Sequence, residues 1–118
     1  MRYLLLIHSD ETMISSMSEA DMQAAMVPWN AYTEELQKVG KMLGGEILEL
    51  TATAKTVRLG EGGFTSDGPF AETKEQLGGF YMIEADSIEE AAEWAARMPN
   101  IPEGSSVEVR PIVDMPQE

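Results

Sequence analysis

The sequence predicts an α+β fold: two helices against one antiparallel sheet, in a single domain over residues 1–118. Three observations predict it. Short apolar runs of strand type alternate with two capped, helix-periodic segments. A length of 118 residues suits one domain. A composition 43% hydrophobic and 25% charged supplies one core and an ordinary solvated surface.

The first element is Arg2–His8 (RYLLLIH), an apolar run without a turn residue, read as a buried strand. Asp10–Met17 is rich in Ser, Thr and Met and reads as a loop. Ser18-Glu19-Ala20-Asp21 has the form of a helix start, a hydroxyl cap with a carboxylate three residues on. A helix to about Lys41 follows, with Trp29, Tyr32, Leu36, Val39 and Leu43 at steps of three and four as its buried stripe. Pro28 inside it predicts a kink or a break into two helices. Gly40 suits the C-terminal cap, and Gly44-Gly45 reads as the turn that follows.

Glu46–Leu50 (EILEL) reads as a strand. Thr56–Leu59 and Gly63–Ser66 flank Gly60-Glu61-Gly62, which predicts a small hairpin. Ser66–Phe70 (SDGPF) is a strong turn signal and Glu72–Leu77 a polar connection. Gly79–Ala85 (GFYMIEA) is a strand. Ser87-Ile88-Glu89-Glu90 forms a capping box ahead of Ile88, Ala91, Ala92, Trp94, Ala95 and Met98 at helical spacing, and Pro99 stops that helix. Ser106–Val113 is the last strand, with Val107 and Val109 on one side and Glu108, Arg110 and Ile112 on the other. The tail from Asp114 is polar and reads as loose.

Without the hairpin the order is βαββαβ, the ferredoxin-like pattern. Helices cover one face of such a sheet. Here the strands are apolar on both faces: Tyr3, Leu5 and Ile7 oppose Leu4 and Leu6, and Tyr81 and Ile83 oppose Phe80 and Met82. A face that apolar predicts a homodimer with two sheets packed face to face.

The formal net charge of −13 excludes a basic footprint for nucleic acid or for an anionic membrane surface, and reads as solvated surface. With no cysteine there is no thiol chemistry, and one histidine excludes a multi-histidine metal centre. No cofactor and no metal are expected. Asp10-Glu11 beside His8 is only a weak divalent-metal signal. No apolar run is long enough to span a bilayer, so a cytoplasmic protein is expected.

Chemistry concentrates at Asp67–Phe80, DGPFAETKEQLGGF, where three carboxylates (Asp67, Glu72, Glu75) and Lys74 fall within nine residues. Such a set suits acid–base work or the anchoring of an anion; a charged turn is the structural alternative. Arg58 on the hairpin and Arg110 on the last strand are the other cations of interest. Arg110 shares a strand face with Glu108, which favours an ion pair over a site for a small anionic ligand. Trp29 and Trp94 read as core. Met13, Met17, Met22 and Met26 cluster before Pro28, as gap-fillers or the lining of an adaptable groove.

DGPFAETKEQLGGFY, with YLLLIHSDE, TVR, EAAEWAARMP and VEVRPIV, resembles the DGPF-domain proteins of the YCII-related family. The resemblance implies a dimeric α/β barrel of two ferredoxin-like chains and no secure activity. It implies a histidine and an aspartate together in a pocket, here His8 and Asp67, which would move protons on a small organic acid. For some members it also implies a link to sigma-factor regulation, in which the chain would be a non-catalytic module binding a ligand or a protein.

Overall fold

The structure, a computed structural model, describes residues 1–115. Its elements are β1 (Arg2–Ser9), α1 (Glu11–Ser15), α2 (Glu19–Lys38), β2 (Met42–Ile47), β3 (Lys55–Val57), β4 (Thr65–Asp67), β5 (Gln76–Glu84), α3 (Ile88–Ala96) and β6 (Ser106–Pro111). Four strands form one antiparallel sheet in the order β2-β5-β1-β6, while β3 and β4 pair only with each other. With that small hairpin set aside, the four strands and two long helices are the ferredoxin-like α+β arrangement expected. Of the tail, only Asp114 and Met115 fall within the described residues.

The helix starts follow their caps. Ser18 Oγ accepts from Asp21 N at 3.1 Å, and Ser87 Oγ accepts from Glu90 N at 3.1 Å. Helix α2 is one element through Pro28 rather than two. A proline deletes one internal bond, and the helix before it is largely exposed, so the orphaned carbonyl lies on the solvent-facing turn where its loss costs little. The helix ends at Lys38, with Gly40 beyond it at φ +74.

Three local readings are corrected. Asp10–Met17 contains the short helix α1, started by Asp10, whose carboxylate accepts from Thr12 N at 2.9 Å and Thr12 Oγ1 at 2.6 Å. Gly44-Gly45 is not a turn but lies inside β2, which begins at Met42. A Cβ on Gly45 would come within 2.9 Å of the Phe80 carbonyl oxygen and 3.2 Å of the Tyr81 ring, so the glycine is there for close approach. The buried stripe of α2 stops at Leu36; Val39 and Leu43 are exposed because the chain has already left the helix.

The core sits between α2, α3 and one sheet face: Tyr3, Leu5, Tyr32, Leu36, Ile83, Ala85, Ala91 and Trp94, with Val107 and Val109 packed against it. The Tyr32 hydroxyl donates to the Trp94 carbonyl at 2.6 Å, tying α2 to the end of α3. Burial raises that phenol's pKa above the ordinary tyrosine range. The opposite sheet face carries Leu4 and Leu6 of β1 in register with Met82 and Phe80 of β5, all half-buried. The Lys41 ammonium and the Glu90 carboxylate, 2.5 Å apart, join the start of β2 to α3.

Candidate functional site

The residues singled out in the sequence lie in three places. His8 is on the helix-free sheet face, its Nε2 3.8 Å from Glu108 Oε1. Glu108 Oε2 is 3.9 Å from Arg110 Nε, the ion pair expected along β6. Ser106 stands opposite His8 in the ladder, and its hydroxyl donates to Glu75 Oε1 at 3.0 Å. His8, Glu108 and Arg110 therefore line the β1–β6 edge of the helix-free face, with Glu75 at its Ser106 end.

Asp67 is elsewhere. It ends β4, and its Oδ1 accepts from Lys55 Nζ at 2.7 Å on the facing strand, with both side chains largely exposed. Among the described residues, no hydrogen bond or ion pair joins Asp67 to His8 within one chain. The turn after it has a structural role: Gly68 sits at φ +95, its N–H donates to the Ala54 carbonyl at 2.7 Å, and its carbonyl accepts from Thr56 Oγ1 at 2.9 Å. Arg58 lies 4.7 Å over the Phe70 ring. Glu72 and Lys74 are exposed. The Asp10 carboxylate is held below the usual range by the Thr12 hydroxyl and backbone N–H, with Lys74 adding a weaker pull.

The third place is a cavity of about 530 Å³ on the helix side, between α2, the loop before it, and the strands β2 and β5. Met17, Met22, Met26 and Trp29 come from the α2 side, with Ile47 and Tyr81 from the sheet. Trp29 and Tyr81 stack at 6.4 Å between centroids. Trp29 also borders a second cavity, of about 510 Å³, toward α3 and β6. Trp94 is core as expected, whereas Trp29 is half-buried and walls both spaces.

Hydrogen bonding fixes what the first cavity offers a ligand. Thr33 Oγ1 donates its one proton to the Trp29 carbonyl at 3.0 Å. In the 2.6 Å contact between Thr33 and Tyr81, the phenol is then the donor. Likewise Ser105 Oγ donates to the Pro102 carbonyl at 2.6 Å, so Ser9 is the donor in its 2.9 Å contact with Ser105. The three lining hydroxyls, Ser9, Thr33 and Tyr81, thus spend their protons within the chain and present lone pairs, with Asn30 and Glu46 the other polar residues of the lining. Among the described residues, no Lys, Arg or His lines the cavity. An apolar body with its own O–H or N–H donors is the matching chemistry.

Two features carry more than the sequence revealed. The methionine cluster is largely lining, though Met13 takes no part; spacing of four between Met22 and Met26 was the available signal. Glu11 appeared only as half of a metal signal. Its carboxylate accepts from Thr51 N and Thr51 Oγ1, both at 2.7 Å, and clasps the root of the β3–β4 hairpin.

The family described as the YCII-related domain matches this chain over residues 1–116. The uncharacterized protein R00369 of Rhizobium meliloti (strain 1021) is 38% identical over 114 residues, which is 95% of this chain and 92% of that protein. No helix among the described residues is long and apolar enough to cross a membrane.

Proposed function

The chain belongs to the YCII-related domain family, and from that premise we propose that it is a homodimeric binding protein for a small, uncharged, mainly apolar molecule bearing hydrogen-bond donors. One observation carries the reading: the methionine- and aromatic-lined cavity whose hydroxyls accept and whose lining has no cation. Its volume suits a molecule of one or two rings. Methionine side chains repack around different shapes, so selectivity rests on the donors more than on the outline of the ligand. The dimer is supported by the helix-free face, where Leu4, Leu6, Phe80 and Met82 form a contiguous, half-buried apolar patch of the kind a two-fold interface would cover.

The experiment is a matched ligand panel of ring-bearing alcohols, amides and carboxylates of equal size. Alcohols and amides should raise the melting temperature and change Trp29 fluorescence, and carboxylates should do neither. Thr33→Val frees the Tyr81 proton, so preference should move toward acceptor-bearing ketones. A panel in which only carboxylates bind would refute the reading.

A second reading, acid–base chemistry on a small organic acid at the sheet–sheet interface, is supported by the pairing of His8 with Glu108 beside Arg110. In it Glu108 takes the part expected of Asp67, which is bound to Lys55. Turnover that survives Asp67→Asn and is lost in His8→Gln and Glu108→Gln would favour this second reading.

A further inference from the structure

We propose that residues 52–75, built around β3 and β4, form a docking arm that grips a second copy of this chain; the inference rests on the homodimer proposed above. The arm is fixed at its root and bare along its shaft. Glu11 clasps Thr51 at one side of the root, and Gln76 Oε1 accepts from Glu11 N at 3.0 Å while its Nε2 donates to the Thr73 carbonyl at 2.6 Å at the other. Beyond the root, the hydrogen bonds of β3 and β4 run within the arm: the ladder Lys55–Asp67, Thr56–Ser66, Val57–Thr65, then Arg58 N to the Phe64 carbonyl at 2.7 Å.

A two-stranded hairpin standing alone in water is marginal, and this one has strands of three residues. The radius of gyration, 16.2 Å, exceeds the roughly 13.5 Å of a compact chain of this length. The arm also carries its apolar side chains outward. Leu59 is 91% exposed, Phe70 72%, Phe64 62% and Val57 59%. Together they present about 500 Å² of apolar surface, against roughly 800 Å² per partner in a standard interface. The helix-free face supplies the remainder.

Charge and position select the occupant. Near the tip, Arg58 is balanced by Glu61 and stacked on Phe70, which leaves no basic patch for nucleic acid or anionic lipid. The arm leaves at the end of β2 and returns into β5, two strands of the same helix-free face, so it stands at the rim of the proposed sheet–sheet contact. A root held before binding lowers the ordering cost of engaging a partner.

The test is sedimentation equilibrium of the full chain and of Leu59→Ser/Phe64→Ser, with a nitroxide on Glu61→Cys in a parallel sample, the chain having no other cysteine. The double variant should dimerise about a hundredfold more weakly with unchanged circular dichroism. The nitroxide should be immobilised in the dimer and mobile on dilution to monomer. An unchanged dissociation constant, or a mobile label in the dimer, overturns the arm while leaving the dimer standing. A label immobilised in the monomer overturns it too, by showing that the arm folds back on its own chain. A wild-type chain that stays monomeric at the highest concentration removes the dimer and the arm's role together.

Discussion

Replacing Glu11 tests whether the arm is held at its root or held by packing. The Glu11 carboxylate takes two bonds at 2.7 Å from Thr51, one from a backbone N–H and one from a hydroxyl. Hydrogen bonds to a charged group contribute about 1.5–3 kcal/mol each in buried settings. Glu11 is half-exposed, and water can replace it at Thr51, so roughly 1–2 kcal/mol is expected for the pair. A second limit applies. Because the shaft packs chiefly against itself, a freed root can fray without opening the core, and the loss cannot exceed the free energy of that local opening. Glu11→Ala should therefore speed hydrogen exchange about tenfold across residues 51–68 while leaving α3 and the centre of β5 within about twofold. Glu11→Gln, which keeps a neutral acceptor, should fall between. Exchange by mass spectrometry reads both. Uniform acceleration over the whole chain would show that the clasp supports the core, and no acceleration would show that packing holds the arm; either result refutes the reasoning.

Other outcomes follow from single contacts. Tyr32→Phe removes the bond to the Trp94 carbonyl, which keeps the Arg97 N–H at 3.2 Å, so the cost is about 1 kcal/mol. At an unfolding entropy of about 0.25 kcal/mol/K for this length, that is about 4 °C by differential scanning calorimetry. Gly45→Ala should cost about 1–3 kcal/mol in urea denaturation, because its Cβ meets the Phe80 carbonyl, and backbone has to give way. Asp67→Asn should alter stability by no more than about 0.5 kcal/mol, both it and its partner Lys55 being largely exposed. The Lys41 ammonium holds Glu90 below the usual carboxylate range, and Thr12 does the same for Asp10. A folded-state value below the unfolded one gives stability that is present above the unfolded pKa and lost as pH falls through the folded one. Melting temperature should accordingly drop below about pH 4, and Glu90→Gln should flatten that acid limb.

How far the sequence was legible depends on the kind of signal. Caps are local chemistry, so Ser18 and Ser87 placed two helix starts correctly. The alternation of β1 showed two apolar faces because side-chain direction in a strand depends on parity alone. Gly44-Gly45 misled because a glycine needed for close approach in a strand looks like one needed for a turn; the difference lies in Tyr81, distant in sequence. Helix α1 was hidden because it is only five residues long and buries nothing, so no periodicity announces it. At the candidate site, residue types were readable and convergence was not. Asp67 and His8 stood out as chemistry, yet the β3–β4 ladder gives Asp67 to Lys55, and His8 meets Glu108, which stands diagonally from it on β6. The donor chain through Thr33 to Tyr81 joins positions 48 residues apart and has no one-dimensional signature.

The placement of the arm bears on how this fold can diverge. Strands β2 and β5 are adjacent and antiparallel, with Ile47 opposite Gly79 and Leu48 N donating to the Gly78 carbonyl at 2.9 Å. Topologically the two strands need only a tight turn between them; residues 49–75 are surplus to the sheet's connectivity. That stretch is a cassette, free to lengthen, shorten or change its tip while the four-stranded register stays as it is. On the proposed reading, the choice of assembly partner would be rewritten in one segment without touching α2, and the ligand would be exchanged through α2 without touching assembly.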